Sequence, residues 1–392
     1  MNKMKVGIVG GGASGLFSAT LLKDIADVTI FEKNDKLGKK ILASGNGKCN
    51  FSNVNELNKK YNDDFANEVI SKFTVQNTLD KFSKMGLIYK NDDQGRCYPV
   101  SECASSVLDC LKMKLNNVDI MLGSTVQNVI ACGEKFKIIY DGGKEKIFDY
   151  IVCCSGSLAS NLGNEKAYSY LSGLGVKISD LKASLAPVIV KENVKSLSGV
   201  RVKCNVSLVN EKNNVVYSEF GEVIFKDDGI SGIAVFNASS IINRNKGSHK
   251  IVLDISSNLS DNHLKNYLKN KCVKDMFKGF LNDKLGAYIK EKCNVDKYDR
   301  LNDSDINKLV KFIKCLEFSV VGLYPLKDSQ VCSGGVLLSE INKDLSLVKY
   351  PNVFVAGELL DIDGMCGGYN LQFAWSSAGL IANSIKERII KE

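Results

Sequence analysis

"KVGIVGGGASGLFSATLLKDIADVTIFE", Lys5 to Glu32, decides the fold. Lys5 to Val9 reads as a short apolar strand that runs straight into three glycines, Gly10 to Gly12. A helical stretch from Leu16 to Lys23 follows, then a second strand, Val28-Thr-Ile-Phe31, which ends in Glu32. Strand, glycine turn, helix, strand and acid in this order form a dinucleotide-binding fingerprint. Gly10 permits the tight turn, Gly12 lets backbone approach a pyrophosphate, and Gly15 lets helix pack closely on strand. The helix N-terminus supplies unpaired amides and the positive end of its dipole. Glu32 lies 22 residues after Gly10 and is placed to accept hydrogen bonds from both hydroxyls of an adenosine ribose. It would repel a 2′-phosphate, so the nucleotide is expected to be that of FAD or NAD rather than NADP.

A second glycine-rich stretch, "SGNGKCN" from Ser44 to Asn50, comes close to a phosphate loop. That pattern needs a glycine five positions before Gly47 and a Ser or Thr after Lys48; Leu42 and Cys49 stand there instead. The loop is therefore expected to run along the dinucleotide toward a flat ring, where glycine allows close backbone approach.

The chain's 392 residues, 44% of them hydrophobic, suffice for two or three domains with cores of their own. No apolar run reaches membrane-spanning length, and Met1 to Lys5 leads directly into a strand, so a cytoplasmic protein without membrane contact is expected. Thirteen cysteines contain no C-x-x-C pair, and Cys153 and Cys154 are neighbours in an apolar run. Neither a disulfide scaffold nor a zinc site follows, and no metal is expected. Two histidines and no G-x-S-x-G argue against a Ser-His-Asp hydrolase. The formal charge of +8 comes mostly from lysines that read as scattered among acids, which favours a solvated surface and no nucleic-acid partner.

Along the chain, Asn53 to Leu122 is mostly helical, with Ser101 a plausible N-cap for "SECASSVLDCLKMKL". Strand-like runs follow at 119–122, 125–130, 136–140 and 150–154. Between about Leu185 and Ile242 the pattern becomes alternating β, including "NNVVYSEFGEVIF" and "GIAVFN", and from His263 to Leu316 it turns helical and charged. Val353 to Glu358 returns to a buried strand ending in glycine and an acid. "DGMCGGYNLQFAWSSAGLIANSI", Asp363 to Ile385, then reads as a glycine turn followed by a helix, with Trp375 in its core.

These motifs resemble those of the bacterial NAD(P)/FAD-dependent oxidoreductases, also described as aminoacetone oxidase family FAD-binding enzymes and including bile-acid enoyl-reductase-like flavoproteins. The shared stretches are "GIVGGGASGL" (Gly7 to Leu16), "SGNGKCNFSN" (Ser44 to Asn53), "GRCYPVSECASSVLD" (Gly95 to Asp109), "SGGVLLSEI" (Ser333 to Ile341) and "VFVAGELLDIDGMCGGYNLQFAWSSAG" (Val353 to Gly379). The resemblance implies an α/β fold: a Rossmann-like FAD-binding domain of glutathione-reductase type, interrupted by a β-barrel-like domain with a helical insert. Its implied divisions are 1–186 and 331–392 for the FAD domain, 187–258 with 317–330 for a β-rich substrate domain, and 259–316 for a helical subdomain.

Residue by residue, the resemblance implies that Gly10, Gly12, Ala13, Ser14 and Gly15 hold the pyrophosphate and that Glu32, Lys33 and the backbone of Val126 hold the adenosine end. Lys40, Ser155 and Gly156 are implied along the cofactor, and Gly45, Asn46, Gly47, Lys48, Cys49 and Asn50 line the flavin. Gly357, Glu358 and Asp361 would meet the ribityl and phosphate region, and Gly368, Asn370 and Leu371 the isoalloxazine edge. The chain departs from the relatives after Cys153, where Cys154-Ser155-Gly156-Ser157 replaces a Thr-Gly-Gly and a longer glycine-rich segment, and Lys48 stands where many have Arg.

A flavin carries the redox chemistry, so the protein mainly binds, orients and tunes it. Backbone amides after Gly368 would stabilise an anionic reduced ring. Candidate catalytic groups are Cys49 as a redox thiol, Tyr369 as a proton donor and Arg96 as a clamp for a substrate carboxylate, each set against a packing role; Cys366 is a second candidate thiol. No second G-x-G-x-x-G occurs, so NAD(P)H is expected to visit the flavin directly as a transient donor. The favoured function is reduction of an enone-type C=C bond in a small substrate. The alternatives are an amine or aminoketone oxidase using O2, and a non-catalytic flavin sensor or RNA-associated protein whose mark would be a concentrated basic face.

Overall fold

The computed structural model describes residues 3–55, 57–163, 166–256, 258–269 and 271–391. They form two compact units, Met1–Lys182 with Val331–Glu392, and Ala183–Gln330.

The first unit is built on β1 (Lys5–Val9), α1 (Ala13–Leu22) and β2 (Asp27–Glu32), as the opening stretch predicts. Valine and isoleucine fill β1 and β2 because both faces are covered, and a strand buried on both sides has no use for polar alternation. Then come α2 (Lys39–Ala43), β3 (Ser52–Asn53), α3 (Phe65–Lys72), α4 (Val75–Lys84), β4 (Tyr89–Asn91), β5 (Arg96–Pro99), α5 (Ala104–Lys112), β6 (Val118–Leu122), β7 (Val126–Cys132), β8 (Lys135–Tyr140), β9 (Lys144–Phe148) and β10 (Tyr150–Cys153). The helix expected from Ser101 starts three residues later. The Ser101 hydroxyl accepts from the Cys103 amide at 3.3 Å and so makes the turn before the helix instead of capping it.

The second unit follows the short strand β11 (Lys182–Ser184). Six strands, β12 (Val188–Val190), β13 (Arg201–Asn210), β14 (Val215–Phe225), β15 (Gly229–Ser231), β16 (His249–Asp254) and β17 (Leu316–Leu323), close into a barrel in the order β12-β15-β14-β13-β16-β17. Four helices accompany them: α6 (Ile233–Arg244), α7 (Asp261–Lys269), α8 (Asp283–Cys293) and α9 (Asp303–Lys314). The run "GIAVFN", expected as a strand, is the start of α6. Gly232 turns the chain out of β15 at φ +117°, after which Ala234, Val235 and Ala238 fall on one buried helical face. Local β propensity yields there to tertiary burial.

The chain then completes the first unit with β18 (Val331–Ser333), β19 (Val353–Val355) and α10 (Tyr369–Lys391). The parallel sheet runs β19-β10-β1-β2-β6, so the carboxyl ends of β1, β10 and β19 lie side by side. In an open α/β sheet that edge is where ligands bind. Trp375 is fully buried on α10 and donates its indole N–H to the Phe51 carbonyl at 2.8 Å. Among the described residues no helix is long and apolar enough to cross a membrane, and no cluster of His, Cys, Asp or Glu could hold a metal ion.

Candidate flavin site

The turn after β1 is held from both sides. Gly10 has φ +109° and donates to the Phe31 carbonyl at 2.8 Å, and a Cβ on Gly15 would meet the Gly10 carbonyl oxygen at 1.9 Å. The helix can start where it does only because residue 15 lacks a side chain. Gly12 is different: a Cβ there meets nothing within 4 Å. Its place at the N-terminus of α1, where first-turn amides lack intrahelical partners, leaves room for a group that the protein itself does not supply.

Glu32 closes the far side. Its carboxylate accepts from the Gly11 amide at 2.8 Å and from the Asn34 amide and side chain at 2.8 and 2.6 Å, and only 7% of the residue is exposed. The Ser124 amide donates to the Glu32 carbonyl at 2.9 Å, which ties the entry of buried Val126 to the end of β2. Lys33 reaches the Gly163 carbonyl at 3.4 Å.

The neighbouring strand ends converge on the same turn. A Cβ on Gly10 would touch the Cys154 carbonyl and Ser155 Cα, and one on Gly357 would meet Ser14 Oγ at 2.9 Å. Ser155 donates to the Ala167 carbonyl at 2.7 Å, and Gly156, at φ +71°, has open space where a Cβ would stand. Lys40 Nζ lies 3.2 Å from Glu358 Oε2 and 3.5 Å from Ser157 Oγ, while Glu358 Oε1 accepts from the Cys332 amide at 3.2 Å. Asp361 holds the loops, accepting from Ser179 Oγ at 2.8 Å and from the Gly334 amide at 3.1 Å.

The loop "SGNGKCN" takes a run of left-handed conformations: Gly45 (φ 56°), Asn46 (φ 55°), Gly47 (φ 81°) and Cys49 (φ 54°). Two such non-glycine residues in one short loop indicate a backbone shaped by more than local preference. The loop is sewn to the start of α10. Ser52 Oγ donates to Gln372 Oε1 at 2.6 Å, Asn53 Nδ2 donates to the Gly367 carbonyl at 2.8 Å, and a Cβ on Gly368 would collide with the Ser52 carbonyl and Asn50 Oδ1. Asn50 Oδ1 is buried with no hydrogen-bond partner among the described residues. An orphaned buried acceptor costs about 1–3 kcal/mol.

Asn370 makes a two-way bond with Gly364, accepting from its amide at 2.9 Å and donating to its carbonyl at 2.7 Å; it shapes the turn before α10. Leu371 follows it, half-buried. Ser52, Asn53 and Gln372, which tie the loop to the helix, lie in the quoted motifs but were given no role in the sequence reading. The signal for them was present in the polar residues at 52, 53 and 372 amid apolar neighbours, but their partners lie some 300 positions away.

The three catalytic candidates occupy distinct settings. Cys49 is fully buried, and burial pushes its thiol up to about 11 against a small opposing pull from Ser44; at neutral pH it is protonated. Tyr369 is buried at the first residue of α10, edge-on to Tyr61 at 6.1 Å, and its carbonyl accepts the Tyr61 hydroxyl at 2.8 Å. Arg96 is half-buried on β5 and uses Nε to reach Asp92 at 2.7 Å. Lys48 is exposed and bridges to Glu102 at 2.7 Å, which Lys90 also reaches at 2.5 Å. Those two lysines draw the Glu102 carboxyl down to about 2.

The fold and this geometry can be set beside known proteins. Residues 4–384 match the model of the "HI0933-like protein Rossmann domain". The chain belongs to the HI0933-like family. It is a flavin-dependent oxidoreductase. A 3-dehydro-bile acid delta(4,6)-reductase of Clostridium scindens is 30% identical over 98% of this chain and 99% of its own length. Ribosomal RNA dihydrouridine synthases of Haemophilus influenzae and Escherichia coli are 28% and 26% identical, over 97% and 98% of this chain and 98% of each relative. The expectation of no nucleic-acid partner therefore stands beside two relatives named for RNA. Among solved structures, a 3-ketosteroid delta1-dehydrogenase from Sterolibacterium denitrificans aligns over 98% of this chain and 100% of its own, at 12% identity and a TM-score of 0.49.

The residues present fit the HI0933-like family's flavin. Open space at Gly12, at the N-terminus of α1, and at Gly156 leaves room for a dinucleotide, and the buried Asn50 oxygen is an acceptor that the described residues leave unpartnered.

Proposed function

We propose that the chain is an FAD-dependent reductase that adds two hydrogens across a C=C bond conjugated to a carbonyl, with NAD(P)H as hydride donor. One observation carries this reading: relatives with different names, each matching nearly the whole chain, are named for one kind of transformation. Dihydrouridine is uridine saturated at a double bond conjugated to a ring carbonyl. A delta(4,6)-reductase of a 3-dehydro substrate likewise acts on double bonds conjugated to an oxo group.

When bound, FAD supplies the two-electron chemistry that links donor and acceptor. The chain's own part is to hold and shield it. Gly12, Ala13 and Ser14 amides at the start of α1 would take the pyrophosphate, with Gly10, Gly15 and Gly357 keeping the surrounding backbone close. Glu32, Lys33 and Val126 would take the adenosine. Lys40, Ser155, Gly156, Glu358 and Asp361 would line the middle. Loop residues Gly45 to Asn50 and the turn at Gly368, Asn370 and Leu371 would carry the ring, where first-turn amides of α10 favour negative charge. Arg96, whose Nη groups make no hydrogen bond among the described residues, would hold the substrate carbonyl oxygen as charge builds there. Tyr369 is the candidate for delivering the proton. Cys49, neutral and sealed, packs the loop.

Anaerobic stopped-flow tests the reading. NADH or NADPH should bleach the flavin, and an α,β-unsaturated ketone or a uridine-bearing RNA should restore its colour with a mass gain of two hydrogens in the product. Bleaching by an amine only, or reoxidation by O2 only, would sink it.

A further inference from the structure

The loop from Ser44 to Asn53 spends most of its polar groups on the scaffold. Ser44 Oγ donates to the Ile41 carbonyl at 2.6 Å, Ser52 Oγ to Gln372 Oε1 at 2.6 Å and Asn53 Nδ2 to the Gly367 carbonyl at 2.8 Å. The backbone is committed too: the Lys48 and Cys49 amides reach the Gly45 and Ser44 carbonyls at 3.1 and 3.0 Å, and the Phe51 amide reaches the Cys97 carbonyl at 3.0 Å. Asn50 stands between these residues. Its side chain makes no hydrogen bond among the described residues at either end of the amide, and Oδ1 is buried.

Buried polar atoms are nearly always paired. Three others among the described residues are not: Ser18 Oγ, Ser256 Oγ and Asn67 Oδ1. The two serines carry hydroxyls, donor and acceptor at once, which a turn about one bond can pair. Asn67 uses the other end of its amide on Asp64 at 3.3 Å. Asn50 has neither recourse, because its loop is pinned on both sides. A Cβ on Gly368 would stand 2.7 Å from Asn50 Oδ1, so that oxygen lies against the turn that opens α10. Glycine at 368, with φ +95°, keeps it uncovered.

A free carboxamide presents an acceptor and a donor side by side. Its complement is an imide edge, an N–H beside a carbonyl, which it meets through two parallel hydrogen bonds. Oxidised FAD carries donors at the adenine amino group, the ribose and ribityl hydroxyls, and N3–H of the ring. With the adenosine at Glu32 and the ribityl chain at Glu358 and Asp361, the donor left for the α10 end is N3–H. It is also the one donor flanked by carbonyls, at C2 and C4. A hydroxyl would engage only half of the amide.

We propose that Asn50 recognises the imide edge of the flavin, Oδ1 accepting from N3–H and Nδ2 donating to a flanking ring carbonyl. The acceptor half selects the ring. The donor half acts on its redox balance, because those carbonyls gain negative charge when the ring takes up electrons and a donor fixed beside them favours the reduced form. Asn50 is thus a positioning residue that also raises the flavin potential. The assignment rests on the FAD proposed above and not on the substrate.

The test uses the full-length chain, stripped of flavin and titrated with FAD or with 3-methyl-FAD, which lacks the N3 proton. Wild type should prefer FAD by at least about tenfold. Asn50→Leu should bind FAD at least about tenfold more weakly and distinguish the two by no more than about threefold. Its flavin-free form should melt no lower than wild type, since the substitution removes a buried acceptor that the scaffold leaves unpaired. Asn50→Asp keeps an acceptor and loses the donor; at saturating FAD its midpoint potential should fall by about 30 mV or more, a tenfold change for a two-electron couple. If Asn50→Leu does not fold, Asn50→Ala replaces it with the same expected ratios. Equal binding of the two flavins by wild type, native FAD affinity in Asn50→Leu, or a preference for FAD that survives in it overturns the proposal, as does a lower melting temperature of its flavin-free form, which would mark Asn50 as a scaffold residue. Absence of FAD binding by wild type would remove the cofactor and this pairing together. The expected ratios without reduction of any enone would leave the pairing standing and remove the reductase.

Discussion

Gly12 and Gly15 lie three positions apart in one motif, yet the structure assigns them opposite kinds of necessity. Alanine at 15 would place its Cβ 1.9 Å from the Gly10 carbonyl oxygen, where contacts under 3.0 Å essentially never occur, so α1 and the β1 turn must separate by more than an ångström. Overpacking of this kind costs about 1–3 kcal/mol, occasionally more, and here the obstacle is backbone that cannot rotate away. Gly15→Ala should therefore lose about 3 kcal/mol, a fall in melting temperature of roughly 6–12 °C for a unit of this size. Alanine at 12 meets nothing within 4 Å and keeps an allowed backbone (φ −87°); it exchanges an acceptable N-cap for a poor one at about 0.5–1 kcal/mol. Its Cβ, however, enters the space assigned to the pyrophosphate. Thermal melts of the flavin-free variants, paired with FAD titration by fluorescence quenching, separate the two effects. Gly12→Ala should melt within about 4 °C of wild type and bind FAD at least about tenfold more weakly, a loss of about 1.4 kcal/mol. A Gly12→Ala variant with native stability and native affinity would refute the placement of the dinucleotide at α1.

Glu32→Gln should weaken FAD binding by about 1.5–3 kcal/mol, the range for a hydrogen bond to a charged group, read by the same titration; unchanged affinity would detach Glu32 from the ribose. Arg96→Lys keeps the charge and loses the fork, so kcat/KM for an enone should fall about tenfold or more while flavin content and the rate of bleaching by NAD(P)H stay level. Cys49 has a folded pKa raised to about 11 from an ordinary 9. The stability this contributes is complete below pH 9 and is lost as pH rises through 11, amounting to about 2–3 kcal/mol; denaturant melts of wild type and Cys49→Ser across that window should converge as pH rises. A native thiol titrated at pH 7 with an aromatic disulfide should leave Cys49 unmodified, and rapid labelling would contradict its burial.

Much of the fold was legible because its signals are local. The β1–α1–β2 unit shows itself within 28 residues (Lys5 to Glu32): apolar strands, a turn only glycine can make, and an acid at the next strand's end. The same holds for the turn before α10 and for the strands of the barrel. Where local preference and burial disagree the reading failed, as at "GIAVFN", whose β-branched and aromatic residues suit a strand but whose buried positions in the folded chain recur at helical spacing.

At the candidate site, residue type alone did not reveal which polar groups the scaffold itself uses. Asn370 was expected at the ring from its motif, and its amide is committed to Gly364, while Asp361 holds Ser179 and Gly334. Cys49 reads as a candidate redox thiol in the one-dimensional motif and is a protonated, sealed one in three dimensions, since burial raises its pKa. The sequence by itself determined the dinucleotide fold and the positive balance, because turns, periodicity and composition are properties of neighbouring residues. Only the tertiary structure decided which polar groups are consumed by the scaffold and that Gly12 faces open space where Gly15 faces backbone, because burial and pairing depend on what distant segments bring within a few ångströms.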